Sequence, residues 1–269
     1  MAALRPVPIF ARLARVARLV LHLFRGLFIL YTSFPKFTAR QRTQAIRRWS
    51  RQLLATLNIR VACVEEPAEW PARCMLVTNH VSWLDVFAIL AVAPCVFVAK
   101  SEIRRWPLVG RLVTLVGTHY IERGKGRHAH KIGRDIADAI ESGTMIGLCP
   151  EGTTTDGDRL LKFHTALFQP AIDARAALQP AAIRYVDAHG QRTKAASYVD
   201  AHTLVGSVWR IAGEPRMTVE LRFGAPLPAE GYNRRDLARD AREAIAALAG
   251  ITIERSQPDA PRVRAAAAR

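Results

Sequence analysis

Residues 74–93 read CMLVT NHVSWLD VFAILAVA, and the division of this stretch decides the fold. Cys74 to Thr78 form an apolar run of strand length, and Leu84 to Ala93 carry a helical pattern. Asn79 to Asp85 are the joint, so the stretch predicts a strand, a turn and a helix. His80 then sits at the strand's C-terminal end, where ligands of open α/β sheets bind. Ser82 and Asp85 also have the S-x-x-D spacing of a capping box, with Ser82 at the N-cap and Asp85 at N3. Capping accounts for Asp85 and leaves His80 without a role, so both readings of the acid stay open here.

Outward from this joint, short runs rich in Val, Ile and Leu recur as RVACVE, CVFVAK, HYIER, MIGLCP, PAAIRYV and MTVELRF. Helical patterns separate several of them, over 128–141, 166–174 and 235–248. This alternation predicts an α/β domain over 59–250, with a mixed, partly parallel central sheet flanked by helices. From Ile251 the periodicity is lost, and 251–269, ending QPDAPRVRAAAAR, read as a flexible tail.

The chain has 269 residues, a net charge of +16 and a pI near 10.7. Such a balance implies an anionic partner: nucleic acid, a membrane surface or a phosphorylated small molecule. Its distribution narrows the choice, because no acidic residue precedes Glu65. On a helical wheel Arg12, Arg15, Arg18, His22 and Arg25 gather within an arc of roughly 140°, opposite Val16, Val20, Leu23, Phe24, Leu27 and Tyr31. The pattern predicts a helix lying in a membrane interface with its basic face toward anionic headgroups. The alternative is a core-packing helix with a solvated basic face. A second helix is expected over 38–57, with Ile46, Trp49, Leu53, Leu54 and Leu57 on one side and Pro35 before it. Residues 1–58 therefore read as an amphipathic helical hairpin that docks on a bilayer.

The longest uncharged run in this segment, Gly26 to Pro35, is far short of the roughly 20 residues a membrane span needs. No A-x-A site follows the apolar part, so a cleaved signal is not expected either. A nucleic-acid arm could be as basic, but it has no reason to carry a dense Leu/Phe/Ile face, and no nucleic-acid partner is expected. Cys63, Cys74, Cys95 and Cys149 lie on separate apolar segments without C-x-x-C spacing, and read as buried thiols of a reducing compartment. His128 and His130 form H-A-H with no further ligands nearby, so no metal site is expected. Gly124-Lys125-Gly126-Arg127 lacks P-loop spacing.

Four ordered blocks carry a family resemblance. The first is Asn79, His80 and Asp85, an N-H-x4-D pattern; the second is Lys100, Glu102, Pro107 and Gly110, followed by Gly117 to Arg123 as GTHYIER. The third is Pro150-Glu151-Gly152-Thr153, and the fourth is Pro180 within an apolar strand. Together they resemble the glycerolipid acyltransferase family over roughly residues 60–225. The resemblance implies transfer of a fatty acyl group from an acyl-CoA or acyl-carrier-protein thioester to the free hydroxyl of a lysolipid. The commonest acceptor in the family is 1-acyl-sn-glycerol-3-phosphate, which gives phosphatidic acid.

By the same resemblance His80 is the general base and Asp85 orients it, while Arg123, Glu151, Gly152, Thr153 and Lys100 bind substrate. No cofactor is implied, because the thioester is already activated. The expected place is the cytoplasmic face of a membrane, the inner membrane if bacterial, in a monotopic or peripheral attachment. The chain departs from the family pattern at Tyr120, Cys149, Thr154 and His164. Thr154 and His164 stand where cations are frequent, which keeps a zwitterionic acceptor such as lyso-ornithine lipid, or another lysophospholipid, open. A non-catalytic membrane-binding module is the alternative of another class.

Overall fold

A computed structural model describes residues 7–65, 67, 69–106, 108–121, 126–199 and 203–254. Two long helices come first, α1 (Ile9–Thr32) and α2 (Ala39–Thr56). Strands β1 (Ile59–Glu65) and β2 (Cys74–Thr78), helix α3 (Asp85–Leu90), β3 (Cys95–Lys100), α4 (Val109–Leu115), β4 (His119–Ile121), α5 (Gly126–Glu141) and β5 (Met145–Leu148) follow. The remaining elements are β6 (Arg159–Leu160), α6 (Gln169–Asp173), β7 (Ala177–Val186), α7 (Leu204–Ala212), β8 (Met217–Phe223), β9 (Leu227–Pro228), α8 (Arg234–Ala249) and β10 (Thr252–Ile253).

The main sheet runs β1-β8-β7-β2-β5-β3-β4, with β9 also paired to β7. Strands β7, β2, β5, β3 and β4 are mutually parallel, and β8 turns against β7. The fold is thus the mixed, mostly parallel α/β sheet expected from the alternation. β2 is buried along its whole length because it lies between two parallel neighbours and is covered on both faces. One face packs Leu53, Leu54, Leu84, Phe87 and Ile211, and the other packs Ile136, Ile140, Phe168, Leu237 and Ile245.

Parallel register sets the function of this scaffold. Val77 on β2 stands beside Leu148 on β5, so the loops that begin at Asn79 and Cys149 leave the sheet side by side. Gly147 is needed at this junction, because a Cβ there would meet Cys95 Sγ at 3.0 Å and the Phe97 ring at 3.2 Å. Pro180 lies in an interior strand, not the edge strand its residue type also allows. Its carbonyl accepts the Gly224 N–H at 2.9 Å, in the gap between β8 and β9, so the side of the ring without an N–H faces a break in pairing.

Two local expectations are corrected. Helix α3 begins at Asp85, with Leu84 at the N-cap position, so the capping box over Ser82 is only half made. The Asp85 carboxylate takes the Ser82 N–H at 2.9 Å, but Ser82 Oγ accepts from Leu84 instead of Asp85, whose N–H goes to the Ser82 carbonyl. Cys74 and Cys95 are buried as expected, whereas Cys63 and Cys149 are only half-buried.

The larger correction concerns α1. Its inward face is Leu19, His22, Gly26 and Leu30, on the same side as much of the basic arc. His22 stacks on Trp49 with ring centroids 4.8 Å apart and bonds the Trp49 carbonyl. Gly26 admits that indole, for a Cβ would approach it to 2.6 Å. Arg15 donates to the carbonyls of Ala212, Glu214 and Pro215, satisfying acceptors at and beyond the C-terminal end of α7. Arg15 and His22 therefore serve the protein's own packing. Phe10, Leu21, Phe24 and Phe28 point outward, at 71%, 69%, 53% and 68% exposure, while Arg18 and Arg25 remain exposed beside them. Among the described residues no helix is long and apolar enough to cross a membrane.

Candidate active site

The joint between β2 and α3 is pinned on every side. Asn79 uses its amide as a surrogate backbone, donating to the Ile183 carbonyl at 3.0 Å and accepting the Ile183 N–H at 2.8 Å. The His80 carbonyl accepts the Thr155 N–H at 2.8 Å. Its own N–H donates to Glu151 Oε1, also at 2.8 Å. The histidine backbone is thus held at both its polar groups by the loop after β5, next to an Asn79 anchored on β7.

His80 Nδ1 lies 2.9 Å from Asp85 Oδ2. That oxygen also accepts the backbone N–H groups of Val81 at 2.7 Å and Ser82 at 2.9 Å, and Oδ1 accepts the Tyr185 hydroxyl at 2.8 Å. A carboxylate surrounded by donors acts as an acceptor, so Nδ1 carries the ring proton and Nε2 is left to accept. Burial, then the Asp85 charge, pushes the Tyr185 phenol well above its usual range, which keeps it a donor. Burial works against a charged imidazole, yet the adjacent Cys149 sulfur and the Asp85 carboxylate outweigh it, and His80 is held well above the usual histidine value.

The His80 side chain is 22% exposed, and the space it meets is a cavity of about 500 Å³. Trp83, Phe87, Phe97 and Trp106 give this cavity apolar walls, and Thr153 and Thr154 add hydroxyls near the base. Gly152 lies on the lining with φ of +67°, a left-handed conformation that glycine adopts without steric cost. A strand end, a turn and an apolar cavity therefore meet at one oriented imidazole.

The sequence-derived residues divide here. His80, Asp85 and Glu151 come together, and Gly152 and Thr153 line the same cavity as His80. Glu151 is turned away from that cavity's lining: its second oxygen accepts the Leu161 N–H at 2.9 Å, so both oxygens brace backbone. Burial pushes its carboxyl up to about 7 in spite of those two donors. Lys100 ends β3 at the same edge of the sheet, but its side chain lies outside the described residues, as does the whole of Arg123. Tyr185 was not foreseen. It lies 100 residues beyond Asp85 on β7, and nothing in its spacing marks it.

The chain is similar to known acyltransferases in sequence and in fold. A family model described as Acyltransferase matches residues 60–184. The 1-acyl-sn-glycerol-3-phosphate acyltransferase of Neisseria meningitidis serogroup B is 36% identical over 217 residues, covering 80% of this chain and 83% of that protein. The lyso-ornithine lipid O-acyltransferase of Pseudomonas aeruginosa is 35% identical over 204 residues, covering 76% and 78%. The crystal structure of the 1-acyl-sn-glycerophosphate acyltransferase PlsC from Thermotoga maritima superposes with a TM-score of 0.67 at 18% identity, covering 90% of this chain and 94% of that one.

Proposed function

Since the chain belongs to the glycerolipid acyltransferase family, we propose that it transfers a fatty acyl group from an acyl thioester to the free hydroxyl of a lysolipid. The observation that carries the reading is the His80–Asp85 pair, an imidazole oriented at Nδ1 and open at Nε2, at the wall of an apolar cavity. His80 removes the hydroxyl proton as the oxygen attacks the acyl carbonyl, and Asp85 holds the productive tautomer. The apolar walls receive the acyl chain. The thioester, carried by coenzyme A or acyl-carrier protein, is already activated, so the proposed step requires no metal or redox group.

The acceptor proposed first is 1-acyl-sn-glycerol-3-phosphate, the substrate in the name of the Neisseria relative. Lyso-ornithine lipid is the second reading, favoured by Thr154 and His164 at positions where a cation would suit a phosphate, and by the Pseudomonas relative's name. Presented with a panel of lysolipids and followed by mass spectrometry, the protein is expected to form phosphatidic acid. If 1-acyl-sn-glycerol-3-phosphate stays unacylated while another lysolipid turns over, the acceptor assignment is wrong.

Membrane attachment belongs to the same proposal. The outward apolar stripe of α1 is suited to lie among acyl chains, with Arg18 and Arg25 at its flank toward anionic headgroups. The docking is monotopic, on the cytoplasmic face, where coenzyme A and acyl-carrier protein are found. Burying a phenylalanine is worth about 1.5–3 kcal/mol. The double variant Phe24→Asp/Phe28→Asp is therefore expected to weaken sedimentation with anionic vesicles on the order of 10²-fold. Unchanged sedimentation would remove α1 from the docking surface.

A further inference from the structure

Strand β7 holds both ends of the joint that carries His80. Its parallel pairing with β2 sets Ala181 beside Thr78, so the chain leaving β2 meets Ile183 and Tyr185, which share one face of the strand. Asn79 is tied to both backbone groups of Ile183, and Asp85 is tied to the Tyr185 hydroxyl. His80 stands between these two anchors.

Packing alone does not ask for a hydroxyl at this place. Tyr185 is 2% exposed, in the apolar core that also holds Leu84, Ile183 and Leu221, where a phenylalanine would leave no polar atom to satisfy. The hydroxyl meets Asp85 Oδ1 at 2.8 Å, while the imidazole and the N–H groups of Val81 and Ser82 all bond Oδ2. A donor on one oxygen of a carboxylate draws negative charge from the other. Here the other oxygen is the one that faces His80 Nδ1.

The remaining ionisable groups around the pair leave this task to Tyr185. Cys149 and Glu151 act on His80 from the loop after β5, and the thiols of Cys74 and Cys95 stay neutral because burial pushes the first up to about 12 and the second higher. Glu220 of β8 is bound by Arg184, on the opposite face of β7. Arg51 of α2 donates to the Ala91 carbonyl at the far end of α3, and Arg210 of α7 donates to the Ala195 carbonyl.

We propose that Tyr185 is a positioning residue for acyl transfer, which holds Asp85 behind His80 and, by drawing charge from the carboxylate, sets how firmly the imidazole keeps the proton it has taken. The inference rests on the acyltransferase reading above and deepens it. Too strong a hold on the imidazolium leaves the base already protonated when the lysolipid arrives; the hydroxyl moderates that hold while fixing the carboxylate in place.

Tyr185→Phe removes the hydroxyl and keeps the ring. Oδ2 then carries more charge, and His80 keeps its proton to a higher pH. With palmitoyl-CoA and the lysolipid that turns over, the low-pH limb of the rate profile is expected to move up by on the order of one pH unit. Near neutral pH the rate falls about tenfold and recovers as pH rises, the opposite sense to Asp85→Asn, which removes the charge itself. A fluorotyrosine in place of Tyr185 is nearly the same size and a stronger donor, so it should move the limb down.

The His80 titration, followed by nuclear magnetic resonance on the full chain in detergent micelles with labelled histidine and no substrate, should shift in the same senses. A thermal melt shows whether Tyr185→Phe is folded, and if it is not, the fluorotyrosine protein decides. A limb and a titration that stay at the wild-type pH, or move the other way, overturn the role and leave Tyr185 a core residue. A His80 titration that shifts as expected in a protein that acylates no lysolipid supports the link from Tyr185 to His80 and overturns the acyltransferase reading alone.

Discussion

Replacement of His80 by alanine is expected to lower acyl transfer by about 10²–10⁴-fold, the range that a positioned general base contributes, while vesicle binding stays at the wild-type level. The two effects separate because the side chain does little for the fold. Its ring is partly exposed in the cavity, and Asp85 keeps two backbone N–H donors and the Tyr185 hydroxyl after the imidazole is gone. The turn stays anchored through the His80 backbone, which the substitution leaves in place on Glu151 and Thr155. Product formation by mass spectrometry, with vesicle sedimentation and a thermal melt beside it, checks all three claims. A membrane-binding module without catalysis has no transfer to lose. A variant that transfers at the wild-type rate removes His80 from the reaction.

The seven strands along the main sheet and most helices were legible because their signals are local, whereas the two-residue strands β6, β9 and β10 were not, and β10 pairs with β6 inside the segment read as a tail. An apolar run such as MIGLC or CMLVT carries its burial in its own composition, and the Asn79-His80-Asp85 and Pro150-Glu151 blocks each follow such a run. The face on which α1 packs was not legible. A helical wheel shows which residues share a side, but the side that meets the protein depended on the Trp49 indole over Gly26 and the α7-end carbonyls awaiting Arg15, both brought there by tertiary structure. The same limit hid the use of Glu151. A carboxylate after a strand suggests a ligand for substrate, and only the packing of β2 beside β5 brings the His80 N–H within its reach.

Asp85 should prove the costliest single residue, because it serves both the fold and the chemistry. Asp85→Ala removes the acceptor for the Val81 and Ser82 N–H groups and the Tyr185 hydroxyl, all buried, as well as for His80. Each buried donor left unsatisfied costs about 1–3 kcal/mol, so three of them reach a few kcal/mol of a total stability on the order of 5–15 kcal/mol. The variant is expected to melt at least about 6 °C below the wild type, at roughly 2–4 °C per kcal/mol for a chain of this size. Asp85→Asn separates the chemistry from the fold, since the amide oxygen can still accept from the backbone.

In the wild type the imidazole must be neutral to take a proton, and its raised pKa means that transfer is lost as pH falls through a point above the usual histidine value of about 6.5. The amide withdraws the negative charge that helps hold the proton on His80, so the inflection of the variant moves to lower pH. Its plateau rate falls as well, because a neutral amide does not stabilise the imidazolium as it forms. A pH–rate profile of the two proteins on the same lysolipid decides the matter. An inflection that does not move, or a plateau equal to the wild type, would show that Asp85 caps the helix and braces the turn without acting on His80.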